Sequence, residues 1–175
     1  MIKKLTMLAM AVGALVAFAA PAMAQADELY EKTINGNVPL KVGAEITLTS
    51  TNLVTHAGIG TLECKKVTIH GEVTKNGPTI TGKEKSTTVE GCNHTITDPT
   101  AGTVELGSGT GKTTGTSFTV DFFCTFTGSI PFKYVTNTDE AVVTGENQLS
   151  GGCGSATMTG SFTLETKDGT PVYIS

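Results

Sequence analysis

"SFTVDFFCTF", residues 117–126, decides the fold class. In an extended chain Phe118, Val120, Phe122, Cys124 and Phe126 fall on one side, and Thr119, Asp121, Phe123 and Thr125 on the other. Period-two alternation of this kind belongs to a half-buried β-strand, apolar toward the core and polar toward water. The same pattern recurs on both sides of the stretch. "AEITLTS" sets Ile46 and Leu48 against Thr47 and Thr49, "KVTIHGEVT" gathers Val67, Ile69 and Val73, and "TMTGSFTLET" gathers Met158, Gly160, Phe162 and Leu164.

Turn-forming residues punctuate these runs at Asn35-Gly36, Asn76-Gly77-Pro78, Asp98-Pro99, Gly107–Gly115, Asn137-Thr138-Asp139, Gly151-Gly152 and Asp168-Gly169. With 32 threonines and 21 glycines, the chain is built of short strands and tight connections. The expected fold is all-β, an antiparallel β-sandwich of immunoglobulin-like or jelly-roll-like type, with an antiparallel β-barrel as the alternative. The one helical element the pattern admits is a turn around Asp27 to Lys32.

The chain opens MIKKLTMLAMAVGALVAFAAPAMA. Lys3 and Lys4 precede an apolar run from Leu5 to Ala20. Pro21 ends the run, and Ala22-Met23-Ala24 has the small-x-small form of a leader-peptidase site. Residues 1–24 therefore read as a secretory signal peptide. A bilayer span needs roughly 20 apolar residues, more than this run supplies. Residues 25–175 are expected to form one all-β domain, free of membrane spans, located outside the cell or in the periplasm where a second membrane exists.

Cys64, Cys92, Cys124 and Cys153 are an even set in an exported chain, which points to disulfides. Four cysteines allow three pairings. "TLEC" is followed by "EGC" after 28 residues, and "DFFC" by "GGC" after 29. In each case a cysteine at the end of a strand precedes one that follows a glycine. The parallel favours Cys64–Cys92 and Cys124–Cys153. Zinc knuckles need two cysteines only a few residues apart, and none are so placed, so no metal centre is expected.

Without the leader, ten lysines stand against sixteen carboxylates, a net charge of −6, and there is no arginine. Such a chain repels nucleic acid and anionic lipid. "GSGTGKTTG", residues 107–115, has the look of a phosphate-binding loop. The motif G-x-x-x-x-G-K-[ST] places its first glycine at position 106, which is Leu106. The following "TGTSFTVDFF" has strand alternation where the motif requires a helix. The stretch is read as a flexible, solvated hairpin connection, and no nucleotide or other cofactor is expected.

His56, His70 and His94 lack a nucleophile-elbow motif beside them. Glu63, Glu90 and Asp121 fall on presumed outer faces and form no evident acid–base pair. "TNTDE", Thr136–Glu140, lacks the spacing of a calcium loop. Asn93-His94-Thr95 fits a glycosylation sequon by chance composition. No catalytic residue is assigned.

"GTLEC", "GEVTKNG", "EGC" and the terminal "DGTPVYIS" resemble a group of small secreted bacterial β-proteins. The resemblance covers cysteines, glycines and turns, so it implies an all-β scaffold and transfers no site. The expected function is that of a secreted, non-enzymatic module with a structural or surface-contact role and a protein or cell-surface partner. A carrier of a small apolar ligand, with Phe123 as the contact residue, is the alternative. An extracellular hydrolase is a third class.

Overall fold

The computed structural model describes residues 27–145 and 148–175; the segment expected to be a leader, residues 1–24, lies outside the described residues. Every regular element is a strand: β1 (Leu29–Thr33), β2 (Gly36–Pro39), β3 (Glu45–Ser50), β4 (Val54–Ala57), β5 (Gly60–Glu63), β6 (Lys66–Lys75), β7 (Ile80–Glu90), β8 (Ile96–Thr100) and β9 (Thr103–Gly107). They continue with β10 (Thr110–Thr114), β11 (Thr116–Val120), β12 (Cys124–Ser129), β13 (Pro131–Tyr134), β14 (Glu140–Thr144), β15 (Gln148–Gly151), β16 (Gly154–Thr166) and β17 (Val172–Ile174). Of the two expected architectures, the antiparallel barrel is the one adopted. Eight strands run in the order β14-β13-β10-β9-β7-β6-β3-β16, and pairing of β14 with β16 closes the ring.

The barrel continues into an open sheet through β16. The second half of this 13-residue strand lies between β3 and β14, with Thr163 opposite both Thr49 and Glu140. Its first half lies between β4 and β15, with Ala156 opposite both Ala57 and Leu149. The open sheet runs β5-β4-β16-β15-β12-β11-β8. Its apolar face, including Phe118, Val120, Phe126, Leu149 and Met158, forms one core cluster. The barrel interior, including Val73, Ile80, Leu106, Phe132 and Leu164, forms the other. Ile46 and Leu48 pack against the barrel core, on the face that their alternation predicts.

On one edge of β16 the partner changes from β4, which ends at Thr159, to β3, which begins at Thr163, and Gly160 lies in that gap. On the other edge β15 ends at Ala156 and β14 pairs from Thr159 onward, with Val143 opposite Gly160. The bend between β3 and β4 crosses it so closely that a Cβ would stand 2.8 Å from the Asn52 carbonyl oxygen and 2.9 Å from Leu53 Cα, and its φ is +138°. The Asn52 side chain fastens the crossing by accepting from the Ser161 N–H at 2.9 Å. No side chain fits here.

A three-stranded sheet, β17-β1-β2, joins the two ends of the described chain. Leu29, Val172 and Ile174 belong to the barrel core cluster and are almost fully buried. Asn76, in the β6–β7 turn, holds β1 in place: Leu29 N–H donates to its Oδ1 at 2.8 Å, and its Nδ2 donates to the Leu29 and Leu40 carbonyls at 2.9 and 2.8 Å. The segment expected to form a helical turn, Asp27 to Lys32, is therefore largely strand. On one edge it pairs with β2 in a local hairpin closed at Thr33↔Gly36, and on the other with the far end of the chain through the register Leu29↔Ile174, a pairing that local pattern does not reveal.

Asp98-Pro99 also departs from the sequence reading. It is a bulge inside β8, where two residues face Phe118 alone between the pairs Ser117↔Thr100 and Thr119↔Thr97, with Asp98 at φ +50°.

On the wet face of the barrel, Lys85 Nζ lies 2.7 Å from Glu45 Oε1 and 2.9 Å from Glu72 Oε2, and Lys167 Nζ lies 2.9 Å from Glu45 Oε2. Hydrogen bonds from Lys85 first, then from Lys167, lower the Glu45 pKa to about 2. A depressed carboxylate pKa contributes stability that is present above the unfolded-state value and is lost as pH falls through the folded-state value.

Two predictions follow from this architecture. Gly160→Ala is expected to lower unfolding stability by on the order of 3 kcal/mol in urea melts, and an unchanged midpoint would remove the close-crossing explanation. Glu45→Gln is expected to flatten the fall in thermal midpoint between about pH 4.5 and about pH 2. Parallel acid limbs for the two proteins would show that the lysine pair does not act on this carboxylate.

Candidate functional site

The stretch that reads as a single strand is a hairpin. β11 and β12 pair from Thr116↔Gly128 to Val120↔Cys124, leaving Asp121, Phe122 and Phe123 as the connection. Three residues preserve parity, so Val120, Cys124 and Phe126 still face inward together. The Phe118 and Phe126 rings lie 5.5 Å apart, tilted by 32°, and Cys124 and Phe126 are fully buried. Phe122, whose alternation predicts a core position, is corrected to the turn tip: its side chain is 74 % exposed and that of Phe123 is 72 % exposed.

The tip is a left-handed turn. Asp121 and Phe122 have φ of +49° and +68°, and Phe123 N–H donates to the Val120 carbonyl at 3.2 Å. Turns of this hand match the twist of a two-stranded ribbon and are usually made by Asn-Gly or Asp-Gly. Asp121 tolerates the conformation. Phe122 is a bulky residue in a region that costs it on the order of 1–2 kcal/mol.

Several bonds hold the backbone in this shape. Asp121 N–H donates to the Thr95 carbonyl at 2.8 Å, and Thr95 N–H donates back to Asp121 Oδ1 at 3.0 Å. His94 Nδ1 donates to Asp121 Oδ2 at 2.8 Å. The carboxylate is held below its ordinary pKa, first by His94 and then by the Thr95 amide. Behind the tip, Cys124 is bonded to Cys153 in the β15–β16 turn, and Cys64 is bonded to Cys92. These are the pairings that the repeated cysteine spacing favours, and they are consistent with an oxidising compartment. The hairpin tip is thus fixed from the β8 side by Asp121 and from the β15–β16 side by a disulfide.

Asn93, next to Cys92, works like a short strand along the edge of β5. Its N–H donates to the Glu63 carbonyl at 3.0 Å, its Oδ1 accepts from Glu63 N–H at 2.9 Å, and its Nδ2 donates to the Thr61 carbonyl at 2.9 Å. Both ends of the amide in the sequon are therefore engaged by protein.

The remaining candidate chemistry is dispersed. His56 and His70 are exposed and bonded to Thr61 and Thr47, each at 3.1 Å. His94 and Asp121 make a histidine–carboxylate hydrogen bond like the one that orients the base of a hydrolase triad, and among the described residues no hydroxyl is hydrogen-bonded to His94 Nε2. Glu63 and Glu90 are exposed on β5 and β7. Thr136–Glu140 uses its oxygens internally: Asn137 Oδ1 accepts from Tyr30 and the Asp139 carbonyl accepts from Leu164. Among the described residues no group of three His, Cys, Asp or Glu side chains could hold a metal.

The glycine-rich stretch 107–115 is tighter than the flexible connection expected. Only Ser108-Gly109 form the turn, with φ of +55° and +77°, and Thr110–Thr114 is barrel strand β10. The Ser108 amide donates to the Asp27 carboxylate, and the Gly109 amide donates to Tyr134 Oη at 3.2 Å. The protein's own acid occupies an amide that a phosphate would need.

Phe123 borders neither of the two apolar interior cavities described below. Phe122 and Phe123 present their rings together, whereas Phe118, Phe126 and Phe132 are buried and Phe162 is half-buried. No described helix is long and apolar enough to cross a membrane. In comparison with known proteins, the chain matches no family model, no curated protein and no solved structure. Ile34, Val42 and Val135 are also exposed, but the hairpin tip is where two aromatic residues in succession are left without a packing role, and no alternation rule points to it. The sequence signal that marks it is an Asp-Phe-Phe run immediately before a core cysteine.

The Cys124–Cys153 bond closes a loop of 29 residues directly behind the tip. The double variant Cys124→Ser/Cys153→Ser is expected to lose about 3–4 kcal/mol of unfolding stability in urea, the loop-entropy value for that length. A loss under about 1 kcal/mol would mean that the hairpin is held without it.

Proposed function

We propose that this chain is a secreted, non-enzymatic β-module that works by surface contact, with Phe122 and Phe123 as its apolar anchor. One observation carries the reading: two adjacent aromatic rings, 74 % and 72 % exposed, stand on a turn whose backbone is strained and pinned. Exposing two phenylalanines and placing one at positive φ are both unfavourable, and neither serves the core. Strain of this sort, held by surrounding bonds, marks positions kept for something other than folding. Rigid aromatic side chains also lose little conformational entropy on binding and are frequent anchors in protein interfaces.

The surroundings favour a protein partner. The mature chain carries ten lysines against sixteen carboxylates and has Asp121 at the base of the tip, which sets it against anionic lipid and nucleic acid. The other exposed surface is rich in threonine, with cross-strand hydroxyl pairs such as Thr119–Thr125 at 2.9 Å and Thr74–Thr81 at 2.7 Å. Ile34, Val42 and Val135 are exposed too but stand apart in sequence, so the tip is the place where two aromatic anchors come in succession. Export through the leader at 1–24 and the two disulfides support a role outside the cytoplasm.

The test is binding of the immobilised mature protein to envelope and secreted fractions of the producing cell, beside Phe122→Ser/Phe123→Ser and Lys112→Ser. The tip variant is expected to lose at least about ten-fold of the retained partner, the scale of one interface hot spot. The Lys112 variant is expected to retain it. Equal retention by all three would reject the tip as the contact, and turnover of an esterase, glycosidase or protease substrate would replace this reading with the hydrolase one.

A further inference from the structure

The two hydrophobic cores meet end to end, and each contains an empty space. The barrel cavity, about 90 Å³, lies among Leu48, Val73, Ile80, Leu106 and Leu164. The second, about 80 Å³, lies between the lower part of the barrel wall and the open sheet, among Leu53, Leu62, Val67, Val89, Ile96 and Met158. Ile69, Ala101, Ile130 and Phe162 border both spaces and form the partition between them.

These spaces suit hydrocarbon and not water. Their walls are almost wholly carbon, and among the described residues no buried side-chain nitrogen or oxygen is left without a partner. A buried water needs two to four polar partners, and an apolar cavity stays dry and accepts apolar guests. The partition is made of side chains alone, and Ala101 is its smallest member.

There is also a path in. β7 pairs with β6 along its whole length, but on its other edge it pairs with β9 only from Ile80 to Lys83. β8 pairs only with β11. Between Thr87–Glu90 and Ile96–Thr100, therefore, no backbone ladder closes the wall, and side chains alone fill the seam. At its inner end Glu84 ties the seam shut by accepting from Thr87, Thr100 and the Ala101 and Gly102 amides, the last two at 2.8 and 2.9 Å. At its outer end Val89 and Ile96 are half-buried, and both line the second cavity.

We infer that the paired cavities are one binding site for a slender, uncharged apolar molecule of about six carbons, entered through the β7–β8 seam between Val89 and Ile96. The size follows from the two spaces, about 80 and about 90 Å³, since a cavity of roughly 150 Å³ admits benzene. The lack of charge follows from the lining: the exposed surface of both spaces is almost wholly carbon, the one cation at their borders, Lys83, stands beside Glu72 and Glu84 around the barrel cavity, and the Glu84 carboxylate at the seam opposes a second carboxylate. This site is independent of the aromatic tip; Phe122 and Phe123 lie outside it.

Methyl NMR of the mature, disulfide-bonded protein titrated with 1-hexanol and with hexanoate tests the assignment. Saturable shifts are expected at the methyls of Val89, Ile96, Ile69 and Leu164, with hexanoate binding at least ten-fold more weakly. Ala101→Leu, which fills the partition, is expected to weaken hexanol binding at least ten-fold while its spectrum away from the cavities is unchanged. Absence of saturable shifts in the unaltered protein, equal binding of hexanoate, or full binding by a folded Ala101→Leu protein would each overturn the site. The comparison of the two ligands on the unaltered protein decides the matter even where the variant does not fold.

Discussion

One strand belongs to two sheets, and one residue without a side chain permits it. At Gly160 the chain between β3 and β4 passes over β16 at a distance that leaves no room for Cβ. On one side of that point β16 completes the barrel; on the other it forms the middle of the open sheet. Because the neighbours on both edges change within one short stretch of β16, between Ala156 and Thr163, the two hydrophobic cores are joined along a continuous backbone and not through a flexible linker. The cavities that meet at Phe162 lie two residues beyond this crossing.

The hairpin tip shows how a strained feature is kept in place by inexpensive parts. Asp121 occupies a left-handed position that an aspartate tolerates, and its backbone and two carboxylate oxygens make three bonds to His94 and Thr95. The disulfide at Cys124 anchors the first residue after the turn in the core. Together these offset the unfavourable φ at Phe122, and the two rings are presented with little freedom to lose.

Much of this was legible from residues alone. Alternation around Ile46, Val67, Phe118 and Leu164 identifies strands and their inner faces, because the period of two is a local property of an extended chain. The cysteine echo identifies the pairing, because equal loop lengths follow from equivalent strand ends. Closure of the barrel was open in the sequence, since the β14–β16 contact is a matter of which edges meet. Three further departures have the same cause. Leu29 finds its strand partner at the far end of the chain, Asp98-Pro99 is a bulge only because β11 runs beside it, and Phe122 leaves the core only because the strand folds back. The apolar seam at Val89 and Ile96 is likewise an absence of pairing, which no single segment records.

The three-stranded sheet is assembled from segments far apart in the chain, with Leu29 opposite Ile174 and Ser175 bonded back to Glu28. Leu29, Val172 and Ile174 all contribute to the barrel core cluster. Packing of the barrel interior is therefore complete only when β1 and β17 have met, so this contact is among the most non-local, and hence the slowest to find, in the fold.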